Sequence, residues 1–187
     1  MYYTTNYVSP VGPLTLACDG NRLVGLWMDG QKYFGGTIPE AMLPADSLPV
    51  FDAAKDWLDR YFAGKKPAIS ELPLAPIGNE FRQTVWQLLC EIPYGELTTY
   101  GQLAKDTAKK LHKQSMSAQA VGGAVGHNPI SIIIPCHRVV GTNGSLTGYA
   151  GGVTKKIWLL KHEGVVVEHL TVPKKGTALG ITPPPHV

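Results

Sequence analysis

The chain has 187 residues, a formal net charge of +3 and a hydrophobic fraction of 44%, a size that suits one large domain or two small ones of ordinary globular composition. No apolar run approaches the roughly 20 residues of a membrane span, and the start MYYTTNYV lacks the charged-then-apolar pattern of a secretory signal. Cys18, Cys90 and Cys136 are far apart and odd in number, which argues against a disulfide framework and for a reducing, cytoplasmic setting without membrane attachment.

Residues 2–27 read as β structure. Tyr2–Val8 alternates, Ser9–Pro13 is a turn, Leu14–Cys18 a second strand, Asp19-Gly20-Asn21 a tight turn and Arg22–Trp27 a third strand. Cys18 has no His or Cys at metal-ligand spacing, so no metal is expected. Residues 29–50 are punctuated by Gly35-Gly36, Pro39, Pro44 and Pro49 and read as irregular. Phe51–Phe62 is an amphipathic helix whose Phe51, Ala54, Trp57, Leu58, Tyr61 and Phe62 share one face, a stripe read as core packing. The proline-rich stretch 65–79 is the expected boundary between an N-terminal part, residues 1–76, and a C-terminal part, residues 77–170.

Glu80–Cys90 is predicted as a helix, with Cys90 near its apolar side. Thr98 and Thr99 cap a helix running to Ala104, a polar lysine-rich link spans Lys105–Met116, and Ser117–Gly126 forms another helix. Two short helices in a half whose charges from Thr98 to Lys161 are all basic except Asp106 suggest a helix-turn-helix for a polyanion. The second helix is built of small residues and carries no Arg or Asn for reading base edges.

Ile130–Ile134 crowds β-branched residues between turn signals and reads as a short buried strand or extended segment. Pro135 then stops regular pairing and is expected to present Cys136 at the mouth of a loop. Only the thiolate of a cysteine attacks well. Next to Cys136 stand His137 and Arg138, a base to take its proton and a positive charge to favour its anion. Val165–Val167 reads as a final strand, and residues 171–187, with four prolines, as a mobile tail.

The run Ile134-Pro135-Cys136-His137-Arg138-Val139-Val140, framed by Asn128-Pro129 and by Gly148-Tyr149-Ala150-Gly151-Gly152, resembles the O6-alkylguanine-DNA alkyltransferases, the methylated-DNA–protein-cysteine methyltransferases. The likeness continues through Lys156–Gly164 and back to Phe81, and is thin before that. The resemblance implies an α/β protein: a small N-terminal α/β, RNase H-like domain and a mostly helical, winged-helix-like C-terminal domain. It implies a monomer that binds the minor groove of double-stranded DNA containing O6-alkylguanine, flips the damaged nucleotide out and transfers the alkyl group irreversibly to Cys136. O4-alkylthymine is a second substrate in this reading, and no cofactor is needed.

By the same resemblance His137 takes the thiol proton through a water, Glu163 orients the imidazole, and Asn128 ties the small-residue helix to the cysteine loop. Tyr100 contacts the flipped base and its phosphate. Tyr149 forms part of the pocket wall, the amides of Tyr149 and Ala150 lie near the guanine O6, Gly151 is expected at the substrate, and the carbonyls of Cys136 and Val139 accept from the guanine amino group. Gln119, Thr142 and Arg138 are expected at the DNA. Gln119 stands where the family usually has an arginine that fills the space of the extruded base, and Ala150 replaces a common serine. A cysteine hydrolase built from Cys136, His137 and Glu163 would need an oxyanion hole, which the glycines after Cys136 do not obviously make. A sensor that binds alkylated DNA without reacting is the other alternative, left open by Gln119 and opposed by Cys136.

Overall fold

The computed structural model describes residues 1–172, which form two compact units. The first comprises Met1–Gly78 with Pro129–Ile133, and the second Asn79–Asn128 with the described chain from residue 134 to 172. The last fifteen positions of the expected tail lie outside the described residues.

In the first unit, β1 (Tyr2–Ser9), β2 (Gly12–Cys18) and β3 (Leu23–Met28) form an antiparallel meander. Strand β3 is buried along its whole length, so it lacks the alternation that marks β1. A fourth strand, β4 (Met42–Pro44), pairs in parallel with β1 at the edge and gives the order β3-β2-β1-β4. It corrects the reading of residues 29–50 as wholly irregular. Helix α1 (Pro49–Phe62) starts with proline in its first turn and buries Phe51, Ala54, Trp57, Leu58 and Tyr61, touching β1, β2 and β3. On the remaining side Trp27 closes a cluster with Ala17 and Val24. Its indole lies so close over Gly25 that a Cβ there would come within 2.1 Å of a ring carbon, so that strand position admits only glycine.

The isoleucine run is not a strand. Ile130 makes a single parallel bridge to Leu26, and Ser131–Ile134 is turn. Leu26 donates to the Pro129 carbonyl and accepts from the Ser131 amide, while the Ser131 hydroxyl donates to Gln31. The Ile133 amide closes back on the Ser131 carbonyl at 2.8 Å, which puts Ile132 at φ 71. A β-branched residue in the left-handed region is strained. It is held there by complete burial of the isoleucines around it.

The second unit is helical: α2 (Glu80–Cys90), α3 (Tyr100–Lys110), α4 (Ala118–Gly126) and α5 (Val153–His162). Asn79, Thr99 and Ser117 cap the first three, each accepting the backbone N–H of the residue three positions on, Arg82, Gln102 and Ala120. Helix α3 runs six residues past the expected end, because Leu103, Ala104, Thr107 and Ala108 make a buried face within the lysine-rich stretch. The link to α4 is correspondingly short. Trp86 of α2 donates its indole N–H to the Ala124 carbonyl of α4 at 2.9 Å, fixing the small-residue helix against the unit's core. Two short strands, β5 (Thr98–Thr99) and β6 (Val139–Val140), pair in parallel. Val165–Val167 is not a strand. The chain instead pairs at Thr171, whose carbonyl accepts from Leu146 and whose amide donates to Gly144.

Candidate active site

The groups that interact with Cys136, namely Asn128, Ile134, His137 and Lys156, belong to the second unit. Pro135, at φ −82 and ψ 63, makes a tight turn in which the Cys136 amide donates to the Ile134 carbonyl at 2.8 Å. Cys136–Arg138 then forms one 3₁₀ turn that leads into β6. Asn128, just past α4, donates to the same Ile134 carbonyl at 2.9 Å. It therefore ties the end of that helix to the cysteine loop. Cys136 is only 6% exposed, so it lies within the packed unit and not at the mouth of a loop.

Glu163 is the hub of the buried charge. It caps α5, and its carboxylate accepts from His137 Nε2 at 2.6 Å, from Arg138 Nε at 2.8 Å and from the Gly95 amide at 3.1 Å. Burial alone would raise its pKa, but hydrogen bonds from His137 and Arg138 and the charge of Arg138 outweigh burial and hold it well below the usual carboxylate range. Burial lowers the pKa of His137 despite the neighbouring carboxylate, which favours the neutral ring. An anionic carboxylate only accepts, so the proton of the neutral ring sits on Nε2. Nδ1 is then a bare lone pair, buried and without a protein partner. Gly95 makes this arrangement possible: at φ +79, any Cβ would stand 2.9 Å from the Glu163 carbonyl oxygen.

Arg138 does not reach a nucleic-acid surface as expected. It is 6% exposed, its guanidinium spans Glu163 and the Ile92 carbonyl at 2.6 Å, and it lies over the Tyr94 ring. Its charge is neutralised by Glu163. The cation that acts on the sulfur is one the sequence reading missed, Lys156 of α5, which has no exposed surface. Its ammonium donates to the carbonyls of Val139 and Thr147 and lies 6.0 Å from the centre of the Tyr100 ring and 5.9 Å from that of Tyr149. Burial lowers its pKa to about 7, while the charge of Cys136 pulls it back up. For Cys136, burial pushes the thiol pKa up, and Asn128, Lys156 and the amides of Cys136 and His137 oppose that. The arrangement suits a sulfur that rests as a thiol and has prepared partners for its anion.

Tyr100 and Tyr149 are both buried, and burial raises both phenols. Tyr100 donates to the Thr147 carbonyl at 2.9 Å, and Gly122 of α4 lies over its ring. Val139 offers a carbonyl that already accepts from Lys156, with a second lone pair for another donor. Ala150 and Gly151 are partly exposed beside Tyr149, while Gln119 on α4 and Thr142 are exposed. Thr142 lies next to Gly101 at the start of α3. Thus Asn128, Lys156, Tyr100 and Tyr149 interact with Cys136 itself, while Glu163 is joined to it through His137 and the Val139 carbonyl through Lys156. Gln119 and Thr142 stay on the surface. Among the described residues no group of three or more His, Cys, Asp or Glu side chains is placed to hold a metal ion, and no helix is long and apolar enough to cross a membrane.

Two family models match the chain. The 6-O-methylguanine DNA methyltransferase ribonuclease-like domain matches residues 1–76 and the DNA binding domain of the same family matches residues 80–165. A methylated-DNA–protein-cysteine methyltransferase of Salmonella typhimurium is 51% identical over 172 residues, covering 85% of this chain and 94% of that protein. One from Haemophilus influenzae is 42% identical over 163 residues and covers 87% of each. A crystal structure of Mycobacterium tuberculosis OGT in complex with DNA superposes with a TM-score of 0.71 at 41% identity, covering 90% of this chain and 94% of that one.

Proposed function

Because this chain belongs to the 6-O-methylguanine DNA methyltransferase family, we propose that it repairs DNA by moving the alkyl group of O6-alkylguanine irreversibly onto Cys136. The observation that carries this reading is a buried thiol sharing its surroundings with a neutral imidazole and a buried ammonium. The thiol proton passes through one water to His137 Nδ1, whose partner nitrogen is anchored by Glu163. Lys156 and Asn128 stabilise the thiolate as it forms. The sulfur then forms a bond to the alkyl carbon while the carbon–O6 bond breaks. The electron pair stays on the guanine, which takes up one proton, and the protein keeps a thioether.

A lesion inside a duplex is out of reach of a sulfur that is 6% exposed, so the nucleotide must leave the stack, at a cost of roughly a few kcal/mol. In this reading α4 lies along the minor groove, its small residues allowing close backbone approach. Tyr100 and Tyr149 wall the pocket for the flipped base, the amides of Tyr149 and Ala150 face its O6 side, Gly151 lies beside them at the substrate, and the Val139 carbonyl faces its amino group. Gln119 fills the vacated space in the stack and Thr142 contacts a phosphate. The protein acts as a monomer, with no cofactor.

Incubating the protein with a duplex containing O6-methylguanine and weighing the Cys136 peptide tests the reading. One added methyl per chain, with the reaction halting at one equivalent, is the expected result. Retained binding without a mass change would leave only a sensor, and continued release of product would indicate a hydrolase.

Gln119→Arg is expected to speed transfer on duplex and leave single strands unchanged, because a guanidinium brings charge and a broader stacking plane than an amide. Equal effects on both substrates would show that the position plays no part in extrusion.

A further inference from the structure

Beside α4 the second unit carries a basic groove that the alkyl transfer does not use. Lys105 and Lys109 stand one turn apart on the exposed side of α3, about 6 Å along its axis. Lys113 follows on the α3–α4 connection, and the floor between them is formed by Ala104, Ala108 and Met116. Lys113 is held in place by its backbone. His112 takes a left-handed conformation at φ 53 and donates its amide to the Lys109 carbonyl, and the Lys113 amide then donates to the Ala108 carbonyl at 2.9 Å. That paired closure is the usual helix stop, made here without the glycine that normally provides it.

The nearby acids are already engaged. Asp106 accepts from Gln102, and Glu91 pairs with Lys110. Among the described residues, Lys105, Lys109 and Lys113 have no acidic side chain within ion-pairing distance, and all three are exposed. The groove also reaches Ala118, the first residue of α4, so it continues the face that the repair reading lays on DNA.

We propose that this groove is a second track for the DNA backbone, on which Lys105, Lys109 and Lys113 hold the sugar–phosphate strand that runs on past α4. The proposal rests on the repair reading for its occupant. It adds phosphate contacts that are indifferent to sequence and to damage, and it supplies charge on a face where Gln119 has none.

The test is the salt dependence of binding to an undamaged fluorescent duplex, measured by anisotropy for three proteins. These are the parent chain, a triple variant (Lys105→Gln, Lys109→Gln, Lys113→Gln) and a charge-matched control (Lys65→Gln, Lys66→Gln, Lys161→Gln). Each phosphate contact contributes about 0.9 to the slope of log affinity against log salt, so the triple variant should lose about 2 to 3 from that slope. Across a fourfold rise in salt the parent should then lose roughly 40-fold more affinity than the triple variant. The control should keep the parental slope. An unchanged slope in the triple variant, or an equal fall in the control, overturns the groove and leaves the repair reading standing. A parent chain that binds no duplex at any salt would instead remove the repair reading itself. Methyl transfer from the free base O6-methylguanine should be the same in all three proteins.

Discussion

Replacing Cys136 by serine is expected to reduce methyl transfer by on the order of 10^4-fold or more, the scale on which enzymes lose activity when a nucleophile is removed. The substitution keeps the shape of the 3₁₀ turn and offers Asn128 another acceptor, so the fold and duplex binding should survive. The loss is therefore chemical. Serine's hydroxyl is a far weaker acid than a thiol, and partners that help stabilise a thiolate, Lys156 and Asn128, cannot bring it to the anion. The measurement is single-turnover transfer from a radiolabelled duplex, with anisotropy on the same duplex as the binding control. A variant that still clears methyl groups would place the acceptor elsewhere and end the account given above.

Glu163→Gln should have the largest effect on stability. The carboxylate neutralises Arg138 and orients His137 in a buried site. Glutamine leaves a buried guanidinium without a counter-charge, which typically costs about 3–5 kcal/mol. Adding Arg138→Met should restore much of that stability, because the unpaired charge is gone. Transfer should stay slow in the double variant, since a glutamine amide can offer His137 a donor and so allow the wrong tautomer. Recovery of both stability and rate would reduce Glu163 to a structural role.

The pH dependence of the parent follows from the same carboxylate. Its folded pKa lies below its unfolded value of about 4.3. Its contribution to stability is therefore complete above that unfolded value and is lost as pH falls through the folded one. A plot of melting temperature against pH should fall on the acid side, and the part due to Glu163 should be missing in the double variant.

Much of this was legible in the chain because one physical signal dominated locally. Helices α1 and α2 repeat apolar residues every third or fourth position, and each met a partner that buried the marked face. Other features carried a misleading signal. Met42–Pro44 is an edge strand three residues long, too short for alternation. In Ile130–Ile134 branched side chains reflect burial and not pairing, and only the structure shows Ile132 at positive φ. Arg138 adjoins Cys136 in sequence, yet its charge belongs to Glu163, a residue 25 positions away.

In the sequence Lys156 counts only among the basic residues of the C-terminal half, yet it shares a stripe with Val153 and Leu160, the buried positions three before it and four after it. That spacing was the available clue. What it could not reveal is that two backbone carbonyls, of Val139 and Thr147, converge on the ammonium, because they come from a strand and a loop that only folding brings together.

The burial of Cys136 also bears on how the protein survives between encounters. A reagent consumed in a single use is wasted by every stray oxidant or electrophile that reaches it first, and such losses follow thiolate character and accessibility. With almost no surface and a thiol pKa raised by its surroundings, this sulfur is favoured as the less reactive thiol. In the proposed reaction, the same enclosure that requires the lesion to leave its duplex would give the unspent molecule its shelf life.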